Sequence, residues 1–480
     1  MLRLLPTPKK HRIEEDVLLN LAYRVHTQDP EWKSCCDTLA DTLFLLYDEM
    51  PEFGPGGIEL VTDTTLPSEH YVIDAGTPLQ IRASEPKGML YGIASVIQIT
   101  NLKNGIFQVP KLHIEDYPDK DYRSMMVDLA RQWYPFPKLL KLVEICFLYK
   151  INYLNLHFMD SQAYTLPSRA FPKANKPGRY YTEEQIAQLN AYAKARGVTI
   201  VPEYECPGHA AVLVQNYPEQ FGNNFGALVP EDMWDENGKV KYSRSLMCPG
   251  STACLEANKT ILKEISDLFP DSPYLHIGGD EVNIELWDYC DDCRAYMREN
   301  GITGIYDLYS EFIGRIAAYV LTLGKTPIVW EGFPVTGSDR IPKETIVSCF
   351  ESQYHMPYEL INEGFRVINS SWKPLYSVCH LNRRWSVFDI LAWNVYNWQS
   401  PFPSSEAYLN PITVAPTEQV LGSTYCVWER TYERQIHFIL ERLIAMSERV
   451  WTLRRVCPDE DFEKLLCWLL EKVERIIQDK

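Results

Sequence analysis

The sequence predicts an α/β protein in which a small N-terminal α/β domain, residues 1–118, precedes a (β/α)8 TIM barrel, residues 119–480. Eight apolar, β-rich segments follow one another in the longer part. Patterns with helical spacing separate several of these segments, which is the alternation of parallel-sheet folds. Polar residues also collect directly after the segments, and in a barrel the carboxyl ends of the strands form the face that carries active sites.

The N-terminal part alternates helical and extended patterns. Helical spacing marks Cys36–Tyr47, and strand patterns mark Tyr71–Asp74 and Leu79–Ala83. Pro86 opens a further helix that carries its apolar residues at helical spacing as far as Gln98. Two prolines lie beside residues 111–119, and we expect a linker between the domains there.

The eight β-rich segments have the length of short buried strands. They are Ser124–Asp128, Tyr153–Phe158, Thr199–Tyr204, Tyr274–Gly278, Thr326–Trp330, Thr345–Cys349, Arg366–Asn369 and Gly422–Trp428. Helical patterns follow several of them, at Pro137–Leu148, Thr182–Arg196, Leu255–Leu268 and Ile305–Leu323. The closing segment Phe462–Ile477 has amphipathic helical spacing, and we expect it to pack on the barrel.

A doubly wound open sheet is the alternative architecture for this alternation. No Gly-x-Gly-x-x-Gly follows the first β-rich segment, so a dinucleotide site is not supported. No other phosphate motif and no convincing metal motif is found along the chain. We therefore expect no cofactor.

The charge balance excludes two classes of partner. The formal net charge is −17, and binding of phosphate groups requires a basic surface. Nucleic acid and anionic membrane are therefore not expected as partners, and no apolar run approaches the length of a membrane span. The 12 Trp and 29 Tyr weakly indicate carbohydrate binding, because sugars pack on flat apolar faces.

The N-terminus and the cysteines indicate a cytoplasmic protein. Only a few apolar residues precede Pro6 and Pro8, so no signal-peptide core is seen, although a secreted form that has lost its leader stays an open alternative. Thirteen scattered cysteines are typical of reduced, buried thiols. Cys290-Asp-Asp-Cys293 is the only Cys-x-x-Cys, and we interpret it as a helix-surface pair without a metal because no further ligands stand out nearby.

Polar and aromatic residues follow seven of the eight segments. In chain order they are Asp128 and Arg131; His157 and Asp160; Glu203, Glu205 and His209; Asp280 and Glu281; Trp330 and Glu331; Trp372 and Tyr376; Trp428 and Glu429. Two adjacent carboxylates after Gly278 and Gly279 can divide acid, base and electrostatic duties. The structural alternative is that Asp280 and Glu281 merely cap a helix, but seven such endings together favour an active site.

These motifs resemble the β-N-acetylhexosaminidases of glycoside hydrolase family 20. The resemblance extends from about Pro86 to Trp451, and it is carried by His276-Ile-Gly-Gly-Asp-Glu281, Pro207-Gly-His209, Asp128-Leu-Ala-Arg131 and Ser447-Glu-Arg-Val-Trp451. It implies an exo-acting enzyme that hydrolyses terminal, non-reducing β-linked N-acetylglucosamine or N-acetylgalactosamine on an oligosaccharide or glycoconjugate. It also implies a retaining, substrate-assisted mechanism in which the acetamido oxygen of the substrate attacks the anomeric carbon and forms an oxazolinium.

The resemblance also implies a role for each site residue. Glu281 acts as acid and base, Asp280 orients the acetamido N–H, and Tyr376 donates to the acetamido oxygen. Asp160 and His209 form a hydrogen-bonded chain to Glu281, while Arg131 donates to sugar hydroxyls. The expected walls of the sugar subsite and its further contacts are Trp330, Trp393, Trp428 and Glu429.

Departures from the family pattern concern the edge of the subsite. Val378 stands where the family often places an acid or amide for the distal hydroxyls, Phe350 where a Trp is common, and Arg430 at a usually acidic position. As a hypothesis, Arg430 favours a sulfated or otherwise anionic sugar. Glu205 precedes Pro-Gly-His where an Asp is usual, and Ser161 replaces the second Asp of a frequent pair.

Two other functions stay open at this stage. One is a conventional retaining glycosidase with two separated carboxylates, for example Glu281 and Glu331. The other is a glycan-binding barrel without catalytic activity, since a fold does not imply a reaction. The sequence does not predict the preferred sugar, the linkage or the oligomeric state.

Overall fold

The computed structural model describes residues 2–226, 228–378 and 385–479, without the side chains of Glu15 and Asp16. The strands are β1 (Lys10–Ala22), β2 (Arg24–Thr27), β3 (Glu52–Phe53), β4 (Ile58–Thr62), β5 (Tyr71–Ala75), β6 (Leu79–Ala83), β7 (Asn101–Lys103), β8 (Ile106–Asp116), β9 (Tyr122–Asp128), β10 (Tyr153–His157), β11 (Met159–Asp160), β12 (Ala163–Tyr164), β13 (Thr199–Glu203), β14 (Tyr274–His276), β15 (Thr326–Trp330), β16 (Ile346–Cys349), β17 (Arg366–Asn369), β18 (Tyr376–Ser377), β19 (Asn397–Trp398), β20 (Ile412–Thr413) and β21 (Val420–Val427).

The helices alternate with these strands. They are α1 (Lys33–Tyr47), α2 (Pro86–Ile99), α3 (Phe136–Leu148), α4 (Glu183–Ala195), α5 (Ala211–Asn216), α6 (Pro218–Phe221), α7 (Thr252–Leu268), α8 (Asp291–Asn300), α9 (Ile305–Thr322), α10 (Pro357–Asn362), α11 (Trp372–Leu375), α12 (Val387–Ala392), α13 (Tyr432–Trp451) and α14 (Asp459–Ile477). Short 3₁₀ helices occur as well, including Ile284–Tyr289 between β14 and α8.

The N-terminal domain is a mixed sheet with helices on one face. Its strand order is β1-β8-β5-β6-β4-β2-β3, with β7 added beside β8. Helices α1 and α2 pack against each other, and α2 lies on β5 and β6. Gly92 in α2 allows this close packing, because a Cβ there would come within 2.4 Å of a methyl carbon of Ile81. The small α/β pattern predicted from periodicity is therefore confirmed.

The larger domain is a closed parallel barrel. Its order is β17-β16-β15-β14-β13-β10-β9-β21, and a further pairing of β17 with β21 closes the ring. All eight neighbouring pairs are parallel. Each predicted β-rich segment overlaps one of these strands, so the predicted (β/α)8 barrel is confirmed and the open-sheet alternative is wrong. Parallel pairing brings the carboxyl ends of all eight strands to one mouth.

The expected linker at residues 111–119 is wrong for most of its length. Residues up to Asp116 belong to β8, which pairs with both β1 and β5. Pro110 and Lys111 lie opposite the irregularity of β1 between Glu14 and Leu18, where the register shifts. This shift in register accommodates a proline, which lacks the N–H that regular pairing requires.

The final helix α14 packs on both domains rather than on the barrel alone. It contacts α1 of the N-terminal domain as well as α3 of the barrel. The buried Lys472 ammonium donates to the carbonyls of Ile97 and Gln98, both at 2.9 Å, and to that of Thr100. Lys472 thereby binds the main-chain oxygens at the carboxyl end of α2.

A buried polar junction also joins the domains at Asp116. Its carboxylate accepts from Tyr71 Oη at 2.6 Å and from the indole N–H of Trp451 at 3.0 Å. It pairs with the ammonium of Lys150 at 3.2 Å, and both side chains are fully buried. Lys150 also donates to Tyr71 Oη at 2.8 Å. The acid at the end of β8 therefore neutralises a cation from the barrel.

The apolarity of the helices and the state of the cysteines can be compared with what the composition predicted. None of the described helices combines the length and apolarity that crossing a bilayer requires. Twelve cysteines lie in the described residues, none of them in a disulfide, and only Cys467 among them is exposed. Cys379 lies outside the described residues.

Removing the acid at the domain junction is expected to destabilise the fold strongly. Asp116→Ala leaves the Lys150 ammonium buried without its counter-charge, and breaking such a pair typically costs about 3–5 kcal/mol. We expect the urea midpoint to fall accordingly, measured by circular dichroism at 25 °C.

Two controls separate the buried charge from general packing. Asp119→Ala removes a partly exposed partner of Lys9 and should shift the midpoint far less, because exposed pairs contribute about 0–1 kcal/mol. The double variant Asp116→Ala/Lys150→Met should recover part of the loss, since it removes the unpaired cation. An unchanged midpoint in Asp116→Ala would contradict the role assigned to this junction.

Candidate active site

A cavity of about 440 Å³ opens at the mouth of the barrel. The lining combines three carboxylates and one guanidinium with aromatic and apolar groups. The lining residues are Arg131, Asp280, Glu281, Phe350, Trp372, Tyr376, Val378, Trp428 and Glu429.

The segment after β14 carries the adjacent acids into this cavity through a tightly packed turn. Gly278 has a φ of +68°, and a Cβ there would lie 1.9 Å from the carboxylate oxygen Oε2 of Glu205. Gly279 donates its N–H to the same oxygen at 3.4 Å. Asp280 and Glu281 do not cap a helix, because the next helical turn, Ile284–Tyr289, has Asn283 as its N-cap. The capping alternative is therefore wrong.

Three residues of the mouth have left-handed backbones without being glycine. They are His209 with φ +48°, Glu281 with φ +50° and Glu429 with φ +58°. Such conformations cost about 1–3 kcal/mol each and persist only where the surrounding structure holds them. Glu281 follows β14, His209 follows β13 and Glu429 follows β21. The backbone is thus held in an unfavourable conformation at three separate points around one cavity.

A chain of charged groups leads from Arg131 to Glu281. The guanidinium of Arg131 lies 2.7 Å from Asp160 Oδ2, and Asp160 Oδ1 lies 3.4 Å from His209 Nδ1. On the other side of the ring, His209 Nε2 lies 3.4 Å from Glu281 Oε2 and 3.8 Å from Asp280 Oδ2. The imidazole therefore bridges a buried carboxylate and the two adjacent acids.

The pKa values of the two adjacent acids are shifted in opposite directions. Burial raises the pKa of Asp280 to about 6, against the opposing effect of His209. The contact with His209 at 3.4 Å lowers the pKa of Glu281, although partial burial opposes this. Burial lowers the pKa of His209, but hydrogen bonds to Asp160 and Glu281 outweigh it and raise that pKa well above its usual value. In the open cavity the shared proton therefore resides on the imidazole.

Asp280 has one carboxylate oxygen that the described part of the protein leaves without a partner. Its Oδ1 is buried and has no hydrogen bond among the described residues. A buried carboxylate oxygen without a donor is unfavourable by about 1–3 kcal/mol or more. Asp280 lines the cavity, so a ligand with an N–H or O–H group can supply the missing donor.

A second buried network lies beneath the cavity. His157 Nδ1 lies 2.9 Å from Glu203 Oε1 and its Nε2 lies 3.1 Å from Asp160 Oδ2. Burial lowers the pKa of His157, but the charge of Glu203 and these bonds raise it to about 9. Trp330 donates its indole N–H to the same Glu203 oxygen at 2.7 Å. This imidazole has both nitrogens engaged by carboxylates, so it supports Asp160 rather than offering a lone pair to a metal.

Trp330 and Trp393 were expected to line the cavity, but neither of them does. Trp330 is almost fully buried and lies behind the lining, with its ring 5.5 Å from that of Phe350 and 6.2 Å from that of Trp428. Trp393 lies in the core after α12, where its indole N–H donates to the carbonyl of Asn397 at 3.0 Å. The expectation of Trp393 as a wall is wrong, because its side chain is buried in the hydrophobic core and does not line the cavity.

Trp372 occupies the wall position that Trp393 was expected to fill. Its ring stacks on Tyr376 with a centroid separation of 4.2 Å, and both rings line the cavity. Trp372 was among the residues noted after the seventh β-rich segment, whereas Glu351, which follows Phe350, was not singled out from the sequence. Burial raises the pKa of Glu351 to about 7, and the charge of Glu281 adds to this. The signal for Glu351 was present, since it lies just beyond the predicted strand Thr345–Cys349.

Two further residues are used differently from the sequence-based hypotheses. Glu331 is buried, and its carboxylate accepts main-chain N–H groups of Ser352, Gln353 and Tyr354 at 2.7–3.1 Å. It anchors a loop and does not line the cavity, which argues against Glu331 as a nucleophile. Arg430 donates to the carbonyl of Val378 at 2.8 Å and likewise does not line the cavity.

Models of one protein family match both domains of the chain. The family model described as "Glycosyl hydrolase family 20, catalytic domain" matches residues 121–454, and that of "domain 2" matches residues 1–117. A β-hexosaminidase of Akkermansia muciniphila is 30% identical over 403 residues, 79% of this chain and 78% of that one. A β-hexosaminidase of Vibrio furnissii is 26% identical over 76% of this chain, which spans 62% of that relative's length.

A solved structure shows the same fold. The exo β-N-acetylglucosaminidase of Vibrio harveyi, crystallised with N-acetylglucosamine, superposes with a TM-score of 0.83 at 21% identity, over 99% of this chain and 77% of that one. The family models together match both domains of the chain, and the catalytic-domain model alone matches more than half of it. The chain therefore belongs to glycosyl hydrolase family 20.

Proposed function

We propose that this protein is an exo-acting β-N-acetylhexosaminidase that removes terminal β-linked 2-acetamido sugars from oligosaccharides or glycoconjugates with retention of configuration. The unpartnered Oδ1 of Asp280 carries the proposal. It is a buried acceptor on the wall of the cavity, and an acetamido N–H is a donor of the right kind. A hydroxyl-only sugar lacks that N–H at its second carbon.

Asp280 and Tyr376 would act on the acetamido group in the first step. Asp280 orients the group through its N–H, so that the acetamido oxygen attacks the anomeric carbon of the same sugar. Tyr376 lines the cavity with its phenol and donates to that oxygen. As the oxazolinium forms, positive charge develops beside Asp280, and an ionised carboxylate in a site of low dielectric stabilises it.

Glu281 would transfer protons to and from the glycosidic oxygen and water. In the open cavity His209 lowers the pKa of Glu281 and carries the proton that the two groups share. A bound sugar displaces water from Glu281, and desolvation favours the neutral carboxyl. The proton then moves over the 3.4 Å contact from His209 to Glu281, which donates it to the leaving oxygen. In the second step Glu281 accepts a proton from the attacking water.

Arg131 and Glu429 would hold sugar hydroxyls at the opposite wall. The Arg131 side chain is anchored by Asp160 and lies over the ring of Trp428, 5.2 Å from the centroid. A guanidinium held in this way keeps further N–H groups in a fixed plane for hydroxyl oxygens. Glu429 lies 3.7 Å from Arg131 Nε and accepts from hydroxyl groups. Trp372 and Trp428 provide the flat faces on which a sugar ring packs.

The neighbouring side chains support substrate-assisted hydrolysis over the two-carboxylate route. The conventional route needs a second carboxylate about 5–5.5 Å from the acid, free to attack the anomeric carbon. Glu331 was the candidate, and its oxygens are occupied by main-chain N–H groups. A protein that only binds glycans would not need Asp280, with its unpartnered oxygen, and the proton-carrying imidazole of His209 beside the carboxyl group of Glu281. The expected cytoplasmic location stays a prediction.

Activity should depend on the acetamido group of the substrate. We expect hydrolysis of aryl β-glycosides of N-acetylglucosamine or N-acetylgalactosamine, and at least about 10³-fold slower hydrolysis of the matching glucoside. The reason is that the glucoside has no internal nucleophile. Asp280→Asn should lower kcat on the acetamido substrates by about 10²–10³-fold, the cost of losing one preorganised electrostatic contact.

The same panel separates the alternatives. Equal rates on the glucoside and the acetamido sugar would contradict substrate-assisted hydrolysis. No hydrolysis of any member by a folded, monodisperse preparation would favour a binding protein.

Adding azide to Glu281→Ala should restore turnover as the β-glycosyl azide, since azide needs no base to attack the oxazolinium from the face opposite the acetamido group. Glu331→Gln serves as the comparison, because it should lower stability without giving any azide product.

The pH profile should report the proton shared by His209 and Glu281. In the wild type the proton stays bound up to the raised pKa of His209, so the basic limb of kcat/KM lies well above pH 6.5. In His209→Asn the proton must reside on Glu281, a carboxyl that loses it at lower pH. We expect the basic limb to move down by at least about one pH unit and kcat at pH 7 to fall by about 10–100-fold. An unshifted limb would remove His209 from the proton path.

A further inference from the structure

Three cysteines from distant positions in the sequence meet in one buried cluster, which we call the thiol cluster: Cys248, Cys290 and Cys293. Cys248 Sγ lies 3.6 Å from Cys290 Sγ and 3.6 Å from Cys293 Sγ. All three sulfurs lie within 4.8 Å of one another, and all three residues are buried. The expectation of a helix-surface pair with no further ligand nearby is therefore wrong. The third thiol was not recognised from the sequence, because Cys248 precedes the Cys290–Cys293 pair by more than forty residues.

The spacing of the sulfurs is that of a metal site and not of a disulfide. A disulfide joins two sulfurs at about 2.0 Å, and three thiols cannot all be paired in that way. Zinc binds thiolates at about 2.3 Å, so two sulfurs at corners of a tetrahedron lie about 3.8 Å apart. The two distances of 3.6 Å lie close to this value. Three sulfurs can therefore reach one ion with small adjustments.

The backbone around the thiol cluster favours ionised sulfur. Cys290 is the N-cap of α8 and Cys293 lies in its first turn, where main-chain N–H groups and the helix dipole stabilise negative charge.

The thiol cluster joins the two loops that carry the proton path. Beside Cys248, Met247 donates its N–H at 2.9 Å to the carbonyl of Pro207, two residues before His209. The second loop runs from Glu281 to Cys290, and Trp287 donates its indole N–H to the carbonyl of Met247 at 3.1 Å. A link between the ends of the two loops would fix the relative position of the imidazole and the acid.

We propose that Cys248, Cys290 and Cys293 bind one zinc ion as thiolates, and that this ion clasps the loop of His209 to the loop of Glu281. Each thiol gives up its proton to solvent as its sulfur binds the metal, and no electron is transferred. No fourth His, Cys, Asp or Glu of the described residues joins the cluster, so water completes the tetrahedron. Zinc is favoured over harder ions because all three ligands are soft sulfurs.

Metal content of the wild-type protein is the first test. Protein purified under reducing conditions without chelator should hold about one zinc per chain by plasma mass spectrometry. After removal of zinc and addition of cobalt(II), the absorption spectrum should show the thiolate-to-cobalt charge-transfer band and the intense visible bands of a tetrahedral site. Both measurements use intact protein, so neither depends on a variant that fails to fold.

Matched variants locate the ion. Cys290→Ser and Cys248→Ser should each lose most of the zinc and the cobalt charge-transfer band, whereas Cys146→Ser, which changes a buried thiol elsewhere in the barrel, should keep both. Restoring zinc to metal-free wild type should raise the thermal midpoint by roughly 5 °C and have no such effect on Cys290→Ser.

Three results would overturn the proposal. They are wild-type protein that stays metal-free and shows no cobalt bands after reconstitution, a Cys290→Ser variant that still holds stoichiometric zinc, and a disulfide between two of the three cysteines in freshly isolated protein. None of these results depends on glycosidase activity, so they leave the proposed function untouched. Conversely, a protein that binds zinc at these thiols but hydrolyses no glycoside would refute the proposed function and keep the clasp.

Discussion

Several carboxyl groups are buried side by side at the mouth of the barrel, among them Asp128, Asp160, Glu203 and Asp280. Like charges in a medium of low dielectric repel each other strongly, and each ionised group also loses its hydration. The site therefore requires cations in fixed places, and Arg131, His157 and His209 provide them. The properties proposed for catalysis follow from this balance of charge.

The balance gives two adjacent acids different chemistry. Asp280 is buried, and burial raises its pKa to about 6 although His209 Nε2 lies 3.8 Å from its carboxylate. Glu281 is more exposed and contacts His209, which lowers its pKa. Asp280 is thus suited to accept from the neutral acetamido N–H and then to stabilise the positive charge of the forming oxazolinium. Glu281 is suited to exchange a proton with the imidazole of His209. Adjacent positions in the chain obtain separate tasks because the backbone turns sharply between them, with Glu281 in a left-handed conformation.

Such a turn needs support from outside the strand. Glu205 packs against the Cα of Gly278, where no side chain fits, and the N–H of Gly279 reaches its carboxylate. The thiol cluster would add a second support nine residues beyond Glu281, and the junction at Asp116 holds the N-terminal domain against the barrel. Each support lies outside the cavity, yet the 3.4 Å contact between His209 and Glu281 depends on how rigidly the two loops are held.

The sequence by itself determined the eight strands, their order with respect to the helices and the acids at the strand ends. Apolar β-rich runs and a Gly-Gly-Asp-Glu motif are local features, and parallel pairing then brings every strand end to one mouth. Asp160, His209, Asp280, Glu281, Tyr376 and Arg131 could therefore be named before the structure was known.

Only the tertiary structure decided which side chains reach the cavity and which anchor it from behind. Trp372 lines the cavity while Trp393 packs in the core, Glu331 caps a loop, and Cys248 joins a pair more than forty residues away. Loop residues follow no period that relates spacing to direction, so the sequence shows that they lie near the mouth without showing which way they point. Contacts between distant loops are set by packing of the whole domain, and the spacing of residues along the chain does not specify them.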